Sequence, residues 1–140
     1  MAISYTNIYH DKVIDTLSTV LANEFSIPTF LDEHRGNHSF LITPESDSLV
    51  TQMSSGVQRE YDINIEYSLK KGGQYNKNDF KQMTNVMERL KRLIHNNGSY
   101  DNGAVWFDAV INSIEYTRDE SDPSILISTA IFNCQHIEAI

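Results

Sequence analysis

Apolar and polar residues alternate most regularly between positions 57 and 70. One parity is mainly apolar and the other is polar with three acids, Glu60, Asp62 and Glu66. Successive side chains of a β-strand point to opposite faces, so this pattern predicts a long strand with one apolar and one polar, acidic face. We therefore expect a β-sheet that is covered on one side only.

Two further segments have helical periodicity. Between positions 7 and 25, apolar residues recur every three or four positions, and Asn7 is a suitable N-cap for a helix that ends before Pro28. A second helix is predicted over 79–95, opened by Asn78 and stopped by Asn96-Asn97-Gly98. Its apolar face comprises Phe80, Met83, Met87, Leu90 and Ile94.

The remaining segments are predicted as shorter strands and a hairpin. Residues 29–31 and 39–42 are strand candidates, and 49–53 belongs either to a further strand after the polar segment 44–48 or to a loop. Residues 105–117 and 125–137 are rich in β-branched and aromatic residues and are expected to form a hairpin. The order is α-β-β-(β)-α-β-β.

These elements predict an α+β fold in one domain, residues 1–140. Because each helix has a single apolar stripe and the long strand a single apolar face, we expect one antiparallel or mixed sheet with both helices packed on one face. A chain of 140 residues is large enough for one core of this kind. The opposite face of the sheet is then left free.

Composition narrows the class of partner. The formal net charge of −8 repels phosphate backbones, which disfavours tight binding to nucleic acid. A single cysteine, Cys134, has no partner for an internal disulfide, which suits a reducing cytoplasm. No apolar run approaches the ~20 residues of a membrane span, and residues 1–7 lack the features of a signal peptide, so we expect a soluble product that is not classically exported.

Candidate metal, nucleophile and phosphate sites are weak. His34 and His38 are four apart, but Gly36 and Asn37 between them predict a loop and no carboxylate or cysteine completes a ligand set. Cys134 and His136 lack an activating third group. Gly72-Gly73 is not followed by the lysine or spaced glycines of a phosphate loop and is interpreted as a turn.

The three acids of the long strand allow two readings. They could be a paired acid and base or a cation site, but general acid–base work needs one carboxyl to be desolvated, and an open sheet face offers no means of doing that. A solvated or interface-facing acidic strip is favoured. We therefore expect no catalytic residue, no cofactor, no metal and no enzymatic activity.

The succession of elements resembles a known family of virus proteins. It consists of the helix at 7–25, Ile27-Pro28-Thr29-Phe30 with Phe40-Leu41-Ile42, the alternating strand 60–67, the helix at 79–95 and the hairpin around 116–119. In pattern and order, over most of the chain, this resembles the tail terminator, or tail-completion, proteins of tailed bacteriophages, which take part in head–tail joining.

The resemblance implies a structural protein of the virion neck, assembled in the host cytoplasm. Members of that family form hexameric rings that cap the tail tube and join it to the head connector or stopper. DNA would pass through without tight binding, and no membrane is involved. The candidate lumen or interface residues are Glu60, Asp62, Glu66, Asp119 and Glu120.

Three alternatives stay open at this point. The chain could be another neck ring, a connector or stopper. It could be an acidic immunity- or antitoxin-type inhibitor whose carboxylates mask a basic nuclease surface, since net charge and size fit equally well. It could also be a small enzyme on the same frame, although the expected phosphate loop and nucleophile arrangement are missing.

Overall fold

A computed structural model describes residues 2–70, 77–119 and 124–139, and it contains one five-stranded sheet in the order β1-β2-β3-β5-β4. β1 pairs with β2 in parallel and the other neighbours are antiparallel, so the sheet is mixed. With two α-helices the fold is α+β, as predicted. The strands are β1 Thr29–Phe30, β2 His38–Met53, β3 Gly56–Lys70, β4 Phe107–Arg118 and β5 Ile125–Ala139.

The first predicted helix has two parts. A π-helical segment, Ile8–Ile14, continues directly into α1, Asp15–Glu24. The predicted cap is confirmed, because the Asn7 side chain accepts a hydrogen bond of 3.2 Å from the backbone N–H of His10. α2 spans Lys77–Asn96, close to its predicted bounds. Within the described ranges, no helix is both long and apolar enough to cross a membrane.

The core lies between both helices and one face of the sheet, which we call the inner face. The predicted alternation of β3 is confirmed, since its odd-numbered residues from Tyr61 to Leu69 are buried and are continuous with the buried residues of α1 and α2. Phe80 was predicted in the core of α2, but this is wrong. Phe80 is 43% exposed, because its ring lies at the edge of the core, where the Arg118 guanidinium carbon is 5.6 Å from the ring centroid.

β2 runs without interruption through residues 44–53, so the segment 49–53, which was predicted as either a strand or a loop, belongs to the strand. Residues 44–48 pair with β3, and the chain absorbs Pro44 and its polar neighbours through a bulge at Glu45. The Tyr9 hydroxyl accepts from the Glu45 N–H at 3.2 Å and donates to the Asp62 carbonyl at 2.5 Å. The Tyr9 hydroxyl therefore satisfies the backbone groups that the bulge leaves without a strand partner. Local sequence does not reveal this contact, because Tyr9 and Glu45 are far apart in the chain.

Two strand edges delimit the sheet. β1 covers β2 only at Phe40 and Leu41, so residues 42–53 have no strand on their outer side among the described residues. β4 forms the opposite edge. At the β2–β3 turn, Gly56 lies so close to β5 that an added Cβ would stand 2.6 Å from the Glu138 carbonyl oxygen. A glycine is therefore required where the hairpin meets the end of β5.

The predicted hairpin of β4 and β5 is confirmed, and Trp106 anchors its start. The indole is fully buried, donates from Nε1 to the Asn97 carbonyl at 2.8 Å and packs on the Phe132 ring at 5.3 Å. Phe107 is half-buried and lies on the opposite face. The strand therefore begins with one core side chain and one side chain facing away from the core.

Candidate functional site

The outer face of the sheet, opposite the helices, is built by the register of β3 and β5. Glu60, Asp62 and Glu66 of β3 point to this face, and we call them the acidic column. Their neighbours on β5 are Gln135, Asn133 and Thr129, respectively. No helix of the described residues covers the outer face, because the apolar residues of both helices belong to the inner core. The column is therefore accessible to another molecule.

Asn133 holds two of these acids in place. It is only 7% exposed, and its amide donates to Glu60 Oε1 at 2.7 Å and to Asp62 Oδ1 at 2.8 Å. The Ser46 hydroxyl donates to the second Asp62 oxygen at 2.9 Å. Neutral donors thus fix both carboxylates while leaving their negative charge uncompensated, which creates a rigid acidic pair.

Glu66 lies further along the same strand and has a different neighbour. His34, from the segment before β2, places Nε2 3.6 Å from Glu66 Oε1, and its Nδ1 shares a 2.7 Å hydrogen bond with the Ser39 hydroxyl. His38 lies on the inner face, with its ring 6.4 Å from that of Tyr67. The two imidazoles are on opposite faces of the sheet, so they form no common metal site.

The other two predicted interface residues are not part of this group. Asp119 follows β4, and its N–H donates to the Ile125 carbonyl at 3.0 Å. Because Ile125 and Gln135 are ten residues apart on β5, Asp119 is roughly 30 Å from Glu60. Glu120 lies outside the described residues. The structure therefore brings together Glu60 and Asp62, whereas Glu66 lies about 20 Å from Glu60 along the same strand, towards the end of the sheet at which Asp119 lies.

Sequence analysis missed an apolar column beside the acidic one. Ile127 and Ile131 of β5 are half-buried on the outer face, and Val110 of β4, opposite Asn133, is 46% exposed. The available signal was the lack of alternation in residues 125–137, which is typical of a strand buried on both faces. Here the helices cover one face only, so this column remains partly open to solvent.

The cysteine and its neighbouring histidine are structural. Cys134 is fully buried on the inner face, and burial raises the pKa of its thiol to about 12, with a further contribution from the Asp62 charge. The thiol is therefore protonated at neutral pH and is a poor nucleophile. His136 is also buried, and its Nδ1 forms a 2.9 Å hydrogen bond with the Val105 carbonyl.

A second group of ligand-type side chains lies on the N-terminal helical segment. His10, Asp11 and Asp15 place potential ligand atoms within 4.8 Å of one another, and all three residues are exposed. Sequence analysis did not single them out, because the π-helical turn that brings them together was not predicted. Because all three are exposed, water competes strongly for any cation, so this group is not the candidate site.

The outer face combines charged and apolar surface in a way that is typical of protein interfaces. Comparison with protein-family models and with curated proteins finds no match to this chain. The candidate site is therefore assigned from the structure alone. It consists of the acidic column, the apolar column and the open edge of β2. Uncovered apolar residues next to polar ones favour contact with another protein over catalysis.

Proposed function

We propose that this chain is a structural subunit of the neck of a tailed bacteriophage. It would resemble a tail terminator, forming a ring that caps the tail tube and joins it to the head connector. The observation that carries this proposal is the outer sheet face, which no helix of the described residues covers and which presents the acidic column and, two strands away, the exposed Val110. Surfaces of this composition mark assembly sites on small proteins.

The free edges add support for a ring. A cyclic assembly uses two different surfaces on each subunit, because each copy contacts one neighbour with one surface and the next neighbour with the other. The outer side of β2 over residues 42–53 exposes Leu49 and Val50, at 53% and 45%, and β4 forms the opposite edge. Open edges of this kind are usually covered in stable assemblies.

The chemistry of the described residues gives less support to catalysis. Burial keeps the Cys134 thiol protonated at neutral pH. Glu60 and Asp62 share one amide donor on an open face, so neither has the desolvated environment that a general acid requires. These features favour a binding or assembly role.

The test is the assembly state of the purified full chain. Size-exclusion chromatography with light scattering should give a discrete multiple of the 16.0 kDa subunit mass, six copies if the resemblance holds, and negative-stain electron microscopy should show rings with a central hole. A monomer at micromolar concentration would contradict the proposal. If that monomer instead bound a basic nuclease tightly, the acidic-inhibitor alternative would be favoured.

A matched pair of variants, one on the outer face and one on α1, sharpens this test. Val110→Asp places a charge on the outer face and should prevent ring formation, because a carboxylate would be buried without a partner. Asn23→Asp introduces the same residue at an exposed position of α1, which is not part of the outer face or of either open edge, and should leave the ring intact. If Val110→Asp forms the ring as readily as the control variant, the outer face is not an interface.

A further inference from the structure

The exposed side of α2 has a regular polar stripe. Its members follow one another by four, three, four and three residues, which places them on one side of the helix, and all are exposed. We call it the basic stripe, and it comprises Lys81, Asn85, Glu88, Arg92 and His95. The buried face of the same helix is formed by Met83, Met87, Leu90 and Ile94.

The charge of this stripe is opposite to that of the chain as a whole. Its one acid, Glu88, is compensated by the neighbouring Lys91, whose Nζ lies 2.6 Å from Glu88 Oε1. Lys81 and Arg92 have no ion-pair partner within residues 2–70, 77–119 and 124–139. A chain of net charge −8 thus presents two uncompensated cations on the helix and three acids on the outer sheet face.

The two surfaces also match in length. Lys81 and Arg92 are separated by eleven helical residues, or about 16 Å along the axis. Glu60 and Glu66 are separated by six strand residues, or about 20 Å. A helix laid along β3 would therefore bring both cations within side-chain reach of the acidic column.

We propose that the basic stripe of α2 in one copy docks on the acidic column of β3 in a second copy. The alkyl stems of Lys81 and Arg92 would cover the half-buried Ile127 and Ile131, which adjoin β3 on the outer face, while the charged groups reach the carboxylates. Each sheet would then have helices on both faces, its own on one side and a neighbour's on the other.

This contact uses different surfaces on the two copies, so it repeats from subunit to subunit and closes into a ring where the rotation allows. The inference rests on the proposed function, and it assigns the acidic column to the subunit interface. In such a ring the three acids are covered by the neighbouring helix, and they do not line the channel.

Charge reversal tests the contact directly. One variant, Lys81→Glu with Arg92→Glu, makes both surfaces acidic, and a second, Glu60→Lys with Glu66→Lys, makes both basic. Each variant alone should associate at least about tenfold more weakly than the native chain, because like charges then face each other. Mixed in equal amounts, the two should regain near-native association, since every contact in an alternating ring again joins opposite charges.

Sedimentation velocity at physiological salt gives the dissociation constants, and circular dichroism checks that each variant folds. If the double sheet variant does not fold, Glu66→Lys alone replaces it. Lys12→Glu is the matched control, because Lys12 is exposed on the N-terminal helical segment and its reversal should leave association unchanged.

The outcomes separate the two proposals. A native chain that does not associate overturns both the ring and this contact. A native ring whose dissociation constant changes less than twofold in both variants, or a mixture that does not recover, overturns the contact and leaves the ring standing. Near-native association of the mixture, together with weakened association of each variant alone, supports the contact.

Discussion

Replacing Asn133 with aspartate tests whether its amide is what holds the acidic pair. In the native chain one Nδ2 group donates to Glu60 and Asp62, at 2.7 and 2.8 Å. Asn133→Asp keeps the shape of the side chain and exchanges two charge-assisted hydrogen bonds for a third carboxylate. Asn133 is only 7% exposed, so the new charge has little water around it.

The expected cost follows from Coulomb's law. Two like charges about 4 Å apart repel by roughly 4 kcal/mol at an effective dielectric constant of about 20. Glu60 and Asp62 are half-buried, and once their hydrogen bonds to Asn133 are lost their side chains can turn away, which reduces this repulsion; the two lost hydrogen bonds add to the cost. We expect the free energy of unfolding to fall by about 2–4 kcal/mol at pH 7.

The assay is urea denaturation followed by the fluorescence of Trp106, which is the only tryptophan and is fully buried. Asn112→Asp, at an exposed position, is the control and should change stability by less than about 0.5 kcal/mol. If Asn133→Asp is as stable as the native chain at pH 7, the amide is not what fixes the pair.

Three further outcomes are expected. Trp106→Phe removes the indole donor to the Asn97 carbonyl and leaves a small cavity, so calorimetry should show a loss of about 2–3 kcal/mol; an unchanged melting temperature would contradict its anchoring role. Tyr9→Phe removes the hydroxyl that hydrogen-bonds the backbone at the β2 bulge, so urea denaturation should show a free energy of unfolding lower by about 1 kcal/mol. An unchanged free energy of unfolding would contradict this role. Burial raises the pKa of Cys134 and of Tyr61 to about 12, so their stabilising contribution, complete below pH 9, should decline as the pH rises through 9 to 12. Thiol labelling at pH 8 should accordingly be slow in the native state and fast in urea, and rapid native labelling would contradict this.

The elements that sequence analysis located correctly are those whose periodicity is unambiguous. Alternation over 57–70 predicted β3 and its inner face, and the three- and four-residue spacing over 79–95 predicted α2. β2 was harder, because Pro44 and the serines that follow it are typical of turns. Proline is tolerated at an edge, where its missing N–H breaks no ladder, and a bulge next to it keeps the strand in register.

The sequence pattern predicted only part of the candidate site. A period of two placed Glu60, Asp62 and Glu66 on one face, and the structure agrees. Asn133 was not identified, since its contact with Glu60 joins residues 73 positions apart and depends on the register of β3 against β5. Asp119 was grouped with these acids on the basis of the resemblance, and the topology places it at the other end of the sheet.

The sequence by itself determined α2, β3 with its apolar inner face, and the two strands of the β4–β5 hairpin, because these follow from side-chain type and spacing within single segments. Only the tertiary structure decided which strands are neighbours, that β5 is covered on one face and not on two, and that Asn133 lies between two carboxylates. The physical reason is that strand register and layer packing are set by contacts between distant segments, which local periodicity does not encode.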